Sequence, residues 1–209
     1  MKFDNDFKKA LAQLPPEEKD KLILRLLKHD LVLANQLSFE LLSTQSVEDR
    51  RKEMEDRIKK QVARMIDTYY SPGYLLVDMR YLSGEITEHV KITRDKDGEP
   101  ALNLMMLTEV LKKLGDRLSD VKPAKAYTFC IYVIARTFRI LVQVKALHED
   151  YFIDFEDGLR ELGELIGNNP LLMRTAIHNG LDVNWMCRGE IPDDIAAIHK
   201  NLRSQGFLK

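Results

Sequence analysis

Cysteine, tryptophan and net charge are all scarce in this chain. It holds two cysteines and one tryptophan in 209 residues, and 32 Lys+Arg stand against 33 Asp+Glu. Cys130 and Cys187 are far apart and form no CxxC, which excludes a disulfide scaffold, a redox motif and a zinc ribbon. A reducing, cytoplasmic setting is the expectation. The lack of a basic surplus argues against a coat for nucleic acid, which needs one to neutralise phosphates. Long apolar runs are missing too. The longest uncharged one is Ala126–Ala135, whereas a membrane span needs roughly 20 residues. Met1–Asp6 has no apolar stretch after its lysine, so it does not read as a signal peptide. Period-two alternation extends over no more than a few residues, so no sheet is expected.

What is present is helical periodicity, cut at intervals by proline and glycine. Leu22, Ile23, Leu26 and Leu27 mark one short helix, and Leu33, Leu37 and Leu41 another, after a first over 3–14. Met54, Ile58, Val62, Met65 and Tyr69 form the stripe of a long helix over 46–70, with Ser46 as its N-cap. Four acid-first i,i+4 pairs, Glu48/Lys52, Glu53/Arg57, Glu55/Lys59 and Asp56/Lys60, support it and absorb the basic patch at Arg50–Lys52. Further long helices follow over 74–94, 101–119 and 123–152. The last is apolar nearly all round, the mark of a central helix.

The expected fold is all-α. Four long antiparallel helices are flanked by short N- and C-terminal ones, as an irregular bundle or a HEAT-like array. Residues 1–45, 46–152 and 153–209 form its three regions.

Catalytic motifs fail in turn. No phosphate loop, GxSxG elbow or HExxH occurs. Gly98 at the sixth position of a calcium loop puts Thr93 and Leu104 where acidic ligands belong, so this segment reads as a turn. Glu161 and Glu164, followed by Glu190 and Asp193, set two carboxylate pairs at i,i+3. This pattern resembles the ExxE…ExxD of the all-α nucleoside triphosphate pyrophosphohydrolases, and the resemblance implies Mg2+ held by those four residues. Pro192 departs from it, because Glu190 and Asp193 then straddle a helix start.

Three other groups stand out. Arg136 and Arg139, on the only polar stripe of the 123–152 helix, are candidates for holding an anion, with Glu109 or Asp78 as alternative internal partners. Tyr69, Tyr70 and Tyr74 gather at a helix break, and Trp185 lies in a loop; aromatics so placed suit an interface. The leading functional expectation is a non-catalytic scaffold with a protein partner, including a second copy of itself. The alternative is the magnesium-dependent nucleotide pyrophosphohydrolase.

Overall fold

The computed structural model describes residues 3–118 and 120–209. These residues form eleven α-helices and no strand: α1 (Asn5–Gln13), α2 (Pro16–Leu27), α3 (Leu31–Leu42), α4 (Val47–Asp67), α5 (Pro72–Thr93), α6 (Gly98–Leu114), α7 (Pro123–Lys145), α8 (Ile153–Asn168), α9 (Pro170–His178), α10 (Asn184–Cys187) and α11 (Ile195–Ser204). The all-α expectation holds.

Local chemistry starts these helices where the sequence suggests. Ser46 and Asp49 form a reciprocal capping box at α4. Ser71 caps α5 ahead of Pro72, and the Asn169 carboxamide oxygen accepts from the Leu171 and Leu172 amides at the head of α9.

Several boundaries differ from expectation. α6 begins at Gly98 and yields to a 3-10 turn over Gly115–Leu118; its expected end at Ser119 lies outside the described residues. α7 stops at Lys145, not 152, although the apolar pattern runs on through the partly buried Leu147 and Phe152. The intrahelical i,i+4 pairs of α4 also give way. Arg57 reaches across to Glu85 on α5 at 3.0 Å, and Arg51 grips Asp95 beyond the end of α5.

Helix pairing sets the architecture. α3 packs on α5, α5 on α7 and α7 on α9, while α4 packs on α6, α6 on α8 and α8 on α10. From α3 to α10 each helix thus lies beside the next but one, and consecutive helices such as α4–α5, α5–α6 and α6–α7 join the two rows. This is a two-row helical array rather than a four-helix bundle. α11 closes on the flank of α7.

The core runs through α4–α9. Ile58, Val62, Met79, Leu82, Ile86, Leu107, Val110, Ile134, Phe138 and Leu141 are fully buried. α7 is long and apolar enough to cross a membrane by length and composition, but more than half of that stretch is buried among its neighbours.

Two polar devices lock the array. Both Asp95 carboxylate oxygens take the Arg51 guanidinium, and Oδ1 also accepts the Gly98 amide at 2.9 Å. The turn that sequence comparison set against a calcium loop is therefore a buried ion pair tying α4 to the α5–α6 corner. A Cβ on Gly98 would fall 2.0 Å from Asp95 Oδ2, so only glycine fits there. At the other end, buried Asn179 donates to the Thr175 carbonyl and accepts the Leu208 amide, each at 2.9 Å, fastening the C-terminal tail.

Candidate functional site

The four proposed magnesium ligands do not converge. Glu161 on α8 is taken by Lys112 of α6, and Asp193 accepts Lys145 Nζ at 2.7 Å, which draws its carboxyl below the ordinary value. Glu164 and Glu190 are exposed. Residues 189–194 precede α11, so the ExxD half of the motif has no helical face to present. Among the described residues, no three His, Cys, Asp or Glu side chains gather as metal ligands. Lysines from α6 and α7, rather than one another, sit against Glu161 and Asp193, so the structure does not bring the four carboxylates of the ExxE…ExxD pattern together.

The cysteines are free thiols, and burial pushes Cys130 up to about 11 and raises Cys187 as well. Neither is a thiolate nucleophile at neutral pH. Cys187 also has a packing role, since a Cβ on Gly163 of α8 would meet its Sγ at 2.6 Å.

The aromatic candidates divide. Trp185 lies on α10, not in a loop, and sets its ring edge-on to Phe138 at 6.1 Å, partly buried against the core. Tyr69 is half-buried, whereas Tyr70 and Tyr74 stand out in solvent as an edge-to-face pair 5.5 Å apart. The exposed run continues along α5 through Val77 and Tyr81. The i,i+3,i+7 spacing of Tyr74, Val77 and Tyr81 puts them on one helical face, which the three-tyrosine cluster alone did not reveal.

A larger apolar surface lies in the first three helices. None of α1, α2 and α3 contains a buried residue. Ten of the eighteen exposed large apolar side chains among the described residues fall between Phe3 and Leu42. Phe3 and Phe7 stack on each other at 5.3 Å for want of another surface. α3 is held to the body by its packing on α5 and by Glu40, which accepts Arg94 at 3.2 Å.

The arginine candidates meet partners that sequence reading missed. Arg139 pairs with Glu99 of α6 at 2.7 Å, neither with Asp78 nor with Glu109, which Lys113 takes instead. Arg136 lies over the Tyr132 ring, 5.4 Å from its centroid, and donates to its hydroxyl at 3.4 Å. Across from α7, His199 and Arg203 of α11 complete a cavity of about 190 Å3 that Arg136 and Arg139 share with Tyr132 and Leu208. The i,i+4 spacing of His199 and Arg203 is visible in the sequence; their meeting with Arg136 is a tertiary event.

No protein-family model, curated protein or solved structure matches this chain.

Proposed function

We propose that this protein is a non-catalytic helical scaffold that engages a protein partner through its N-terminal helices. One observation carries the reading. α3 is largely apolar, yet it packs on α5 and only lightly on α2. Leu31, Leu33, Leu41 and Leu42 remain in solvent, Leu41 and Leu42 at 75% and 77% exposure. A helix with that composition is stable when covered on several sides, and a contiguous exposed apolar patch marks an interaction surface.

The partner is a second copy of this chain. A formal charge of −1 does little to keep copies apart, and a two-fold pairing lets the same apolar face serve both subunits. The exposed Tyr74–Val77–Tyr81 face of α5, with Tyr70 just ahead of it, adds the aromatic character common in interface cores. The setting is cytoplasmic, in keeping with two unpaired thiols.

Light scattering at micromolar concentration tests this. The expected mass is twice the 24.2 kDa of one chain. The double variant L41K/L42K should return it to one chain while leaving helical content intact. A single-chain mass for the unsubstituted protein, unchanged on about tenfold concentration, overturns self-association.

A further inference from the structure

We propose that the cavity between α7 and α11 binds the phosphoryl group of a small phosphate monoester, through Arg136 and Arg203 from opposite walls. The inference stands apart from the scaffold reading, because it concerns a different surface and a different ligand class.

The charge distribution comes first. Basic and acidic residues nearly cancel over the chain, but not here. Arg136, Arg139 and Arg203 line the cavity. Arg80 adds a fourth guanidinium, 6.0 Å from the centroid of the Tyr132 ring that Arg136 covers. Among the described residues, Glu99 is the only carboxylate paired with any of these four, and it serves Arg139. Arg80 and Arg136 are left uncompensated at one aromatic ring, and Arg203, on the α11 side of the cavity, has no carboxylate partner among the described residues either. Like charges so close repel one another, and an entering anion relieves that repulsion.

The choice of anion follows from donor count. A carboxylate is a single charge with two oxygens, which one arginine fork satisfies. Arg136 and Arg203 lie on different helices, and each brings a fork free of carboxylate partners. A phosphate monoester carries about two charges at neutral pH and three acceptor oxygens, which match two forks approaching from two sides.

The site is built rather than incidental. Tyr132 holds Arg136 from beneath and itself donates to the Met79 carbonyl at 3.4 Å. His199 is stacked on buried Phe138, with centroids 5.6 Å apart and planes within 13°. Burial and the neighbouring Arg203 both lower its pKa, which favours a neutral ring in the cavity lining at neutral pH. Leu208 is pinned at the rim by the bond from its amide to Asn179.

Size and lining define the ester. A volume of about 190 Å3 falls below the roughly 300–1,000 Å3 of drug-sized ligand sites. The enclosed space suits a phosphoryl group on a few carbon atoms, with anything larger extending beyond the cavity. Ala135, Leu208 and the Tyr132 ring give those carbons an apolar wall. The same chemistry is offered by a free metabolite-sized ester and by a phosphorylated side chain of a peptide.

The test uses the full-length chain, titrated with O-phosphoserine, with a short peptide carrying one phosphoserine, and with serine as control. Calorimetry and amide chemical shifts are recorded. Both phosphorylated probes should bind and move the amides around Arg136, Tyr132 and Arg203, while serine should not. The tighter of the two identifies the source, a free ester or a peptide. R136Q and R203Q should each weaken binding by about tenfold or more, the cost of one charge-assisted contact. R203Q alters an exposed side chain in the last turn of α11, so it retains the fold even if R136Q does not. Absence of binding at millimolar phosphoserine and phosphopeptide overturns the proposal. So does an R203Q affinity within about twofold of the unsubstituted protein.

Discussion

Helices α3 and α7 have the same kind of sequence and opposite fates. Both are apolar nearly all round, yet eleven of the 23 residues of α7 are buried and none of the 12 in α3. The difference is position in the array. α7 has α5 and α9 beside it, α6 across from it and α11 on its flank, while α3 stands at one end with α5 and a light contact from α2. Composition sets how much cover a helix needs, and its place in the stack sets how much it gets. Helical arrays ordinarily close their ends with a polar outer face. This one ends in leucines, and that exposed end is the strongest support for a partner.

The largest effect to test is the contrast itself. Phe138 on α7 is fully buried and touches both the Trp185 and His199 rings. Phe138→Ala should destabilise the protein by about 3–5 kcal/mol, through lost transfer energy and the cavity left behind. Leu41→Ala on α3 should cost no more than about 0.5 kcal/mol in dilute protein, because its side chain already faces water. Urea unfolding at two protein concentrations reads both. A second copy covering α3 would make the Leu41→Ala cost grow with concentration, and comparable costs in dilute protein would erase the contrast.

A middle-sized effect concerns how the body is held together where it meets the N-terminal helices. Asp95 is buried and takes Arg51 of α4 and the Gly98 amide at once. Asp95→Ala removes a charge-assisted pair and a helix-end acceptor together, at about 2–3 kcal/mol in thermal or chemical unfolding. Arg94→Ala breaks the partly exposed contacts to α3, the ion pair with Glu40 and the bonds to the Gln36 carboxamide oxygen, and should cost about 1 kcal/mol. Equal costs would mean that α3 is fastened as firmly as α4.

Reading the sequence recovers these helices well and their neighbours poorly. The Met54–Ile58–Val62–Met65 stripe is buried as its spacing demands, because periodicity is a local property. The end of α7 is missed because Leu147 and Phe152 pack on the core without continuing the helix. The pairing of α4 with α6 and of α5 with α7 leaves no local mark, since it depends on which apolar faces meet after the chain turns. The same limit applies to the sites. Arg136 and Arg139 are visible as a polar stripe, but Glu99, His199 and Arg203 reach them only through α6 and α11. The carboxylate motif shows the converse limit: i,i+3 spacing is easily met in an acid-rich segment and does not foretell that lysines from α6 and α7 sit against two of its members.

The smallest effect separates the two regions by pH. Burial lowers the pKa of His199, with Arg203 adding to the shift. Burial also lowers that of His89, where Arg50 and Arg51 push the same way and Asp95 and Glu53 oppose them. Both rings belong to the body, His89 on α5 and His199 on α11. A histidine with a depressed folded pKa binds protons less readily than its unfolded counterpart near 6.5. Between the folded value and 6.5 the unfolded state holds more protons, so stability rises with pH there. The contribution is complete above 6.5 and is lost as pH falls through the folded values. Trp185 reports on this directly, because its ring contacts Phe138, on which His199 stacks. Its fluorescence-detected unfolding midpoint should fall as pH drops from 7 toward 5, and His199→Gln should flatten part of that slope. L41K/L42K, which alters only the exposed face of α3, should leave the slope unchanged. A slope that disappears with the leucines and survives without His199 would place the acid-sensitive element in the N-terminal helices instead.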